Sequence, residues 1–193
     1  CHGSPSGKGG FRLSLRGYDP ALDIMTLRSE FYGRRTNTLE PGESLLLKKP
    51  LMEVAHGGGR RLKKGDAAHK ALHGWIGEGL RLDADGVPDL VKIEVFPNKR
   101  VFKPAAKDQQ LVVMGTYSDG SVRDVTPLTV FSSSNEQVAS VNDLGFVSKA
   151  GRGETAILAR ILDKMTTSYI TFLEDVPGFA WNNPQPNNFV DNL

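Results

Sequence analysis

The residue types that carry metal or redox chemistry are confined to the first 84 of the 193 positions. All four histidines, His2, His56, His69 and His73, lie there, and so does the single cysteine, Cys1. One cysteine excludes an intrachain disulfide and a zinc site built from cysteine pairs. Any metal or redox chemistry of this sequence is therefore expected in its first part.

The other patterns of reactive side chains are weaker. His69 and His73 are four residues apart on a predicted helix, a spacing that can bind zinc. No third ligand is near them, however, and no glutamate stands where a zinc protease needs one. Residues 132–134 are three serines with no histidine in the second part of the sequence, so they do not form a nucleophile site. We expect no enzyme within these 193 residues, and any catalysis would belong to domains downstream.

The charge of the sequence divides it into two parts. The net charge of +2 combines +5 over residues 1–84 (14 basic, 9 acidic) with −3 over residues 85–193 (10 basic, 13 acidic). A basic surface favours an anionic partner, although a solvated face is the commoner explanation. No zinc finger, recognition helix or aromatic RNA-binding motif accompanies the charge, so nucleic acid is not expected. No apolar run reaches the roughly 18 residues of a membrane span.

Helical patterns dominate the first part. Asp19 and Asp66 stand at N-cap positions, and Pro20 fits the first turn of the first helix. The apolar content is thin for about 80 residues, which suggests that a cofactor completes the core. Helices are predicted for residues 20–32, 43–49 and 67–80, and glycine-rich loops for residues 4–10 and 57–59.

The hydrophobic period changes from about 3.6 to about 2 after residue 90. Residues 85–90 have the composition of a linker. Short strands separated by turn signals then predict an antiparallel β-sandwich. Beyond residue 174 the composition becomes rich in proline and asparagine, which predicts an irregular tail. The predicted strands are residues 91–96, 110–117, 130–132, 138–141, 146–149, 154–162 and 167–172.

The first part resembles the planctomycete-type cytochrome c domain. The matching motifs are residues 1–3 (Cys-His-Gly), 8–13 (Lys-Gly-Gly-Phe-Arg-Leu), 41–47 (Pro-Gly-Glu-Ser-Leu-Leu-Leu) and 75–79 (Trp-Ile-Gly-Glu-Gly). They occur in the family's order over about 80 residues. The resemblance implies a small all-α haem domain over residues 1–84.

The second part resembles the bacterial immunoglobulin-like domain, group 2. The matching motifs include residues 117–120 (Tyr-Ser-Asp-Gly), 132–135 (Ser-Ser-Ser-Asn), 138–141 (Val-Ala-Ser-Val) and 153–157 (Gly-Glu-Thr-Ala-Ile). The resemblance implies an all-β immunoglobulin-like sandwich over residues 91–174. Together the two matches indicate a multi-domain chain that is the N-terminal fragment of a large secreted protein, with residues 175–193 leading into a further domain.

The cytochrome resemblance implies haem c as the cofactor. In that family, two cysteines of a C-x-x-C-H motif hold haem by thioethers, and the adjacent histidine binds the iron. Cys1 and His2 match the last two positions, so Cys1 is expected to form a thioether and His2 to be the proximal ligand. The first cysteine would precede residue 1, and incomplete haem attachment is therefore expected in this chain.

The sixth iron ligand is expected in the loop before the last helix. His56, beside flexible glycines, is one candidate and Met52 is the other, while a loop histidine bonded to the backbone is the structural alternative. Histidine would give a lower potential than methionine, since methionine ligation raises it.

Two functions follow from these patterns. The first is electron transfer to an unknown redox partner by a haem module joined to an immunoglobulin-like spacer. The alternative is a non-enzymatic cell-surface binding or structural protein, with a carbohydrate or cell-envelope ligand for the second domain. In a variant of it, Cys1 carries a lipid anchor and the cytochrome domain is degenerate. Both place the chain outside the cytoplasm.

Overall fold

The computed structural model describes residues 2–3 and 6–180, and most of the regular structure there is β-sheet. The helices are short: α1 (Pro20–Arg28), α2 (Leu45–Lys48) and α3 (Ala67–Gly77). Short 3-10 turns precede α1 (Leu15–Gly17), lie between α1 and α2 (Glu30–Gly33 and Pro41–Glu43) and occur in the second part (Thr126–Leu128). The strands are β1 (Leu90–Phe96), β2 (Lys99–Phe102), β3 (Asp108–Gln110), β4 (Val112–Tyr117), β5 (Val122–Asp124), β6 (Val130–Ser133), β7 (Ala139–Val141), β8 (Phe146–Lys149), β9 (Gly153–Ile161) and β10 (Lys164–Phe172).

The described strands form three sheets, in the orders β1-β4-β5, β2-β10-β9-β6 and β3-β8-β7. All neighbouring strands are antiparallel except β2, which runs parallel to β10 with Lys99 opposite Tyr169 and Phe102 opposite Phe172. The long β9–β10 hairpin pairs Gly153 with Phe172 at its open end. The antiparallel pairing predicted from the short strands is confirmed for the other neighbours.

One apolar core joins the three sheets. Alternate residues of each strand point inward because successive side chains in a strand face opposite sides. In β10 these are Ser168, Ile170 and Phe172, each at most 1% exposed. The rings of Phe102 and Phe172 stack with their centroids 5.0 Å apart, which joins the two parallel strands through their side chains as well. The core cluster comprises Ile93, Val95, Phe102, Leu111, Val113, Val125, Val138, Ala139, Val147, Ile157, Ala159, Ile170 and Phe172.

A separate and much smaller core lies in the first part. It comprises Leu27, Leu47, Leu51, Ile76 and Leu80. Partly buried side chains such as Trp75 pack against it. A cluster this small leaves little apolar area to stabilise the segment, so hydrogen bonds and caps carry a larger share.

The predicted fold class is wrong. A small all-α cytochrome c-like domain joined to an immunoglobulin-like sandwich was expected, but the described chain is mostly β-sheet with few short helices. The physical reason lies in the first part, where α1, α2 and α3 have only 9, 4 and 11 residues. Glycine-rich turns separate them, and no long helix is available in the described residues to build an all-α core.

Helix boundaries differ from the prediction at identifiable residues. The Asp19 cap is confirmed, since its side chain accepts a hydrogen bond from the backbone N–H of Leu22 at 3.0 Å. The predicted helix over residues 20–32 stops at Arg28, because Phe31 and Tyr32 adopt positive φ of 50° and 60°. Such a left-handed conformation cannot continue a right-handed helix.

Strand boundaries agree better. The predicted strand over residues 146–149 coincides with β8, and the others overlap observed strands. β2 and β5 were missed because their burial patterns show little alternation: Lys99, Arg100 and Val101 are all exposed, as is every residue of β5.

None of the helices in the described ranges is long and apolar enough to cross a membrane.

We expect Phe172→Ala to destabilise the β core by about 3–5 kcal/mol, since truncating a fully buried phenylalanine loses transfer energy and leaves a cavity. Phe146→Ala removes the same atoms from a ring that is 40% exposed and should cost less than half as much. Urea unfolding of the full chain, followed by circular dichroism, measures both. Equal costs would contradict the assignment of Phe172 to the core.

Acidification should weaken the start of α3. Burial raises the pKa of the Asp66 carboxyl, but hydrogen bonds from the backbone N–H groups of His69 and Lys63 outweigh this, so its pKa lies below the ordinary value. A carboxyl with a lowered folded pKa stabilises fully above its unfolded pKa, about 3.9, and loses this contribution as the pH falls through the folded pKa.

Asp66→Asn keeps a side-chain oxygen for the cap but does not titrate. Relative to this variant, the wild type should lose protection of the α3 amides as the pH drops below about 4. Hydrogen exchange detected by mass spectrometry between pH 6 and pH 2.5 measures the difference. Asp66→Ala, which removes the cap, should cost about 1 kcal/mol at neutral pH. A constant difference between wild type and Asp66→Asn across this range would contradict the titrating role.

Candidate functional site

His2 and His56 lie side by side although they are 54 positions apart in the sequence. Their rings are nearly parallel, with an interplanar angle of 4° and a centroid separation of 6.4 Å. Both side chains are half-buried. We take this pair as the candidate functional site, because it joins the first described histidine to the loop in which a second ligand was predicted.

A backbone turn holds His2. Its Nδ1 lies 2.9 Å from the carbonyl oxygen of Phe11, and its own carbonyl accepts a hydrogen bond from the backbone N–H of Leu13 at 2.8 Å. A carbonyl oxygen only accepts, so Nδ1 is the donor and carries the proton. In the neutral ring Nε2 is then left with its lone pair.

His56 is held in the same way. Its Nδ1 lies 2.8 Å from the carbonyl oxygen of Gly59, and the backbone N–H of Gly59 donates to the His56 carbonyl at 3.0 Å. Arg61 steadies this loop, since its Nε donates to the Gly58 carbonyl at 2.8 Å. The neutral His56 ring therefore also carries its proton on Nδ1 and a lone pair on Nε2.

Gly58 leaves room beside the His56 ring. A Cβ on Gly58 would lie 3.0 Å from Cε1 and 3.2 Å from Nε2 of His56. Both distances are shorter than ordinary van der Waals contact. The glycine therefore keeps the Nε2 edge of the ring unobstructed on that side.

Aromatic and cationic groups back the His2 ring. The Phe11 ring lies 4.6 Å from the His2 ring, tilted by 46°. The Arg35 guanidinium lies 4.6 Å from the centre of the same Phe11 ring and 4.9 Å from the Phe31 ring. Cation–π attraction and ring packing thus connect His2 to the chain segment that follows α1.

Arg35 is buried, with 6% of its surface exposed. Its Nη1 donates to the carbonyl oxygen of Thr26 at 2.8 Å, and its Nη2 donates to that of Gly10 at 3.3 Å. The Glu30 carboxylate lies 3.4 Å from Nη1 and balances the charge. One guanidinium therefore fastens the Gly10 loop to α1 and sets the position of Phe11.

The other predicted residues do not join the pair. Met52 lies at an exposed turn with a positive φ of 63°. The rings of His69 and His73 are 5.9 Å apart and tilted by 35°, and His69 Nδ1 accepts a hydrogen bond from the Gly65 N–H at 3.3 Å. Cys1 lies outside the described residues, so its predicted thioether and the haem-ligand roles of His2 and His56 stay predictions.

Within the described part of the chain, no three His, Cys, Asp or Glu side chains converge as a metal-binding group. The protein ligands available at the candidate site are thus the two imidazoles. Such a pair can occupy two positions around a metal and leaves the remaining positions to other ligands.

Sequence reasoning missed Arg35 and Phe11 as parts of this site. The adjacent Arg34 and Arg35 form a basic pair that is typical of a solvated face. Only Arg34 is exposed. No local pattern distinguishes the two arginines, because the burial of Arg35 depends on the Thr26 carbonyl of α1 and the Gly10 carbonyl of a more distant turn.

We expect Arg35→Lys to loosen the first part by about 2–3 kcal/mol, since one ammonium cannot reproduce the guanidinium's forked contacts to the Thr26 and Gly10 carbonyls. Arg34→Lys changes an exposed neighbour and should stay within about 0.5 kcal/mol. Hydrogen exchange of the α1 amides in the full chain measures both. Similar protection in the two variants would contradict the bridging role of Arg35.

No family model matches this chain. A curated relative is "Ice-binding protein 1" of Shewanella frigidimarina, 38% identical over 60 residues. The match covers 31% of this chain and 7% of that protein. The chain therefore spans a small fraction of the length of the curated relative it matches.

Solved structures with some likeness are domains of the surface-layer protein SbsC. Its domains 4 and 5 give a TM-score of 0.40 at 16% identity, covering 46% of this chain and 54% of that one. Its domains 1–6 give a TM-score of 0.40 at 17% identity, covering 47% and 14%.

The family assignment from sequence motifs is wrong. The comparisons find S-layer domains and an ice-binding protein, not a planctomycete-type cytochrome c domain followed by a group 2 bacterial immunoglobulin-like domain. Among the described residues, the short motifs that suggested the cytochrome family lie in turns, at the start of α2 and at the end of α3, and those that suggested the immunoglobulin-like family lie in turns and short strands. Tight turns with glycine arise wherever the chain must reverse, so such motifs are not specific to one family.

Proposed function

We propose that this chain is part of a non-enzymatic extracellular protein, in which residues 91–174 form a structural or binding module at the cell surface. The proposal rests on the β-sheet part of the chain, residues 91–174, which we call the β body. It has its own continuous apolar core. The 60-residue match to a protein named for binding ice supports it as well. The electron-transfer function expected first has less support, because the comparisons point to surface proteins.

The broadest described sheet offers a surface for binding. Alternate residues of β10 lie on the outer face of this sheet, where each is paired with a residue of β9. They are Met165, Thr167, Tyr169 and Thr171. The Tyr169 side chain is 49% exposed and lies at the centre of this face, between Lys99 of β2 and Ala156 of β9. The residues of the opposite face pack into the core.

The chemistry of this face suits a carbohydrate of the cell envelope. An exposed tyrosine offers an apolar ring to stack on a sugar and a hydroxyl to hydrogen-bond it. Threonine hydroxyls flank the ring, and the Thr171 hydroxyl donates to the Glu154 carboxylate at 3.0 Å. Hydroxyl and carboxylate groups beside a ring supply both donors and acceptors for sugar hydroxyls.

Tyr169→Ala should weaken binding of the full chain to insoluble cell-envelope polysaccharide by about tenfold, the equivalent of about 1.4 kcal/mol. Co-sedimentation with purified sacculi measures the bound fraction against concentration. Tyr32→Ala is the matched control, because Tyr32 is a fully exposed tyrosine of the first part and its loss should leave binding unchanged.

Two outcomes would contradict the proposed binding surface. The wild-type chain would remain in the supernatant at every concentration, or the Tyr32 and Tyr169 variants would bind equally. Circular dichroism of both variants verifies that the β body is intact, which is expected because Tyr169 points away from the core.

A further inference from the structure

The outer edge of β1 carries backbone groups with which no strand of the described chain pairs. β1 ends the sheet β1-β4-β5, and its register places Val95 opposite Val113. The Val113 N–H donates to the Thr126 hydroxyl at 2.7 Å, and the Val113 carbonyl accepts from the Val125 N–H at 2.9 Å. Both backbone groups of Val113 therefore point away from β1.

This pattern shows which groups of β1 point outward. In an antiparallel pair, opposite residues alternate between those that exchange backbone hydrogen bonds and those that do not. Val95 does not bond to Val113, so its N–H and C=O point to the free edge, and those of Ile93, two residues earlier, do the same. A cleft of about 260 Å³ lies between β1 and β10, lined by β1 residues and by Thr166. The edge of β1 therefore borders a cleft and not another strand.

The charges of β1 complement those of a second copy in one register. Lys92 and Glu94 flank Ile93, and their side chains are 60% and 48% exposed. A two-fold axis at Ile93 pairs two β1 strands antiparallel and places Lys92 of each copy opposite Glu94 of the other. Ile93 then forms a hydrogen-bonded pair with its own counterpart, so the charged residues occupy the closer pairs, with Cα atoms about 4.5 Å apart. Opposite charges at such positions stabilise the pairing of strands.

The neighbouring registers lack this match. An axis at Lys92 or Glu94 places two lysines or two glutamates directly opposite each other, which destabilises a strand pair. An axis at Val95 places Pro97, which has no N–H, opposite Ile93. Charged residues on an edge strand commonly prevent pairing between copies. Here their order opposes the other registers and favours the one centred on Ile93.

We propose that two copies of this chain associate through their β1 edges, antiparallel about Ile93. The two three-stranded β1-β4-β5 sheets then form one continuous sheet across a two-fold axis. The register shift between Leu90 and Lys92 limits the pairing to a few residues, so we expect a weak dimer with a Kd of about 0.1 mM. The edge belongs to a different sheet from the face that carries Tyr169, and the dimer does not depend on the binding function proposed above.

Sedimentation velocity of the full chain over a range of concentrations measures the dimer, with a reductant present so that Cys1 cannot link two copies. Lys92→Glu and Glu94→Lys should each weaken dimerisation by at least about tenfold, because like charges then face each other twice. A 1:1 mixture of the two variants should restore dimerisation, since every charge of the mixed dimer faces its opposite. Arg152→Glu is the matched control, because it reverses an exposed charge outside β1 and should change nothing.

Amide exchange measured by NMR identifies the surface that pairs. Exchange at Ile93 should slow as the concentration rises, because its N–H finds an acceptor only in the dimer. A chain that stays monomeric up to about 1 mM would overturn the proposal. So would a dimer in which Ile93 exchange is unchanged, a mixture that associates no better than either variant alone, or an equal loss in Arg152→Glu. Circular dichroism verifies that the variants are folded, as expected for changes at exposed side chains.

Discussion

The buried guanidinium of Arg35 is the interaction on which the first part of the chain depends. Five buried apolar residues form the core there, too few to hold about 80 residues by hydrophobic burial alone. Arg35 compensates with hydrogen bonds to a carbonyl of α1 and to a carbonyl of the Gly10 turn, and with cation–π contacts to two phenylalanine rings. Because Phe11 lies between Arg35 and His2, the position of the candidate site follows from this one cation.

The β body is stabilised mainly by its apolar core. Its apolar core is continuous through the three sheets, and its buried polar groups have partners, as when the Thr126 hydroxyl accepts from the Val113 N–H at 2.7 Å. Ser168 donates to the Pro97 carbonyl at 2.6 Å in the same way. Polar contacts of one side chain thus stabilise the first part, whereas apolar contacts between residues far apart in the sequence stabilise the β body.

Local signals in the sequence predicted the elements better than their assembly. The caps at Asp19 and Asp66 and the strand over residues 146–149 were predictable, since capping and alternation are properties of a few neighbouring residues. The end of α1 was not, because nothing near Phe31 and Tyr32 marks them for positive φ. The fold class also failed, since motif order in glycine-rich segments resembled a family that the comparisons do not find.

For the candidate site, the sequence likewise predicted some residues and not others. His2 and His56 were named from the sequence, whereas their parallel rings depend on the carbonyl groups of Phe11 and Gly59. Arg35 was indistinguishable from Arg34. Backbone acceptors and buried cations have no residue-type signature, so sequence reasoning finds the ligands of such a site more readily than the groups that orient them.

The parallel pairing of β2 with β10 has a mechanical consequence. Lys99–Phe102 lies early in the β body and Tyr169–Phe172 at its end, and both strands run in the same direction. Tension between the two ends of the chain would pull these neighbours in opposite directions along their length. Their hydrogen bonds would then be loaded together, in shear, instead of opening one at a time. The stacked rings of Phe102 and Phe172 add a side-chain contact between the same two strands, which would have to break as they slide apart.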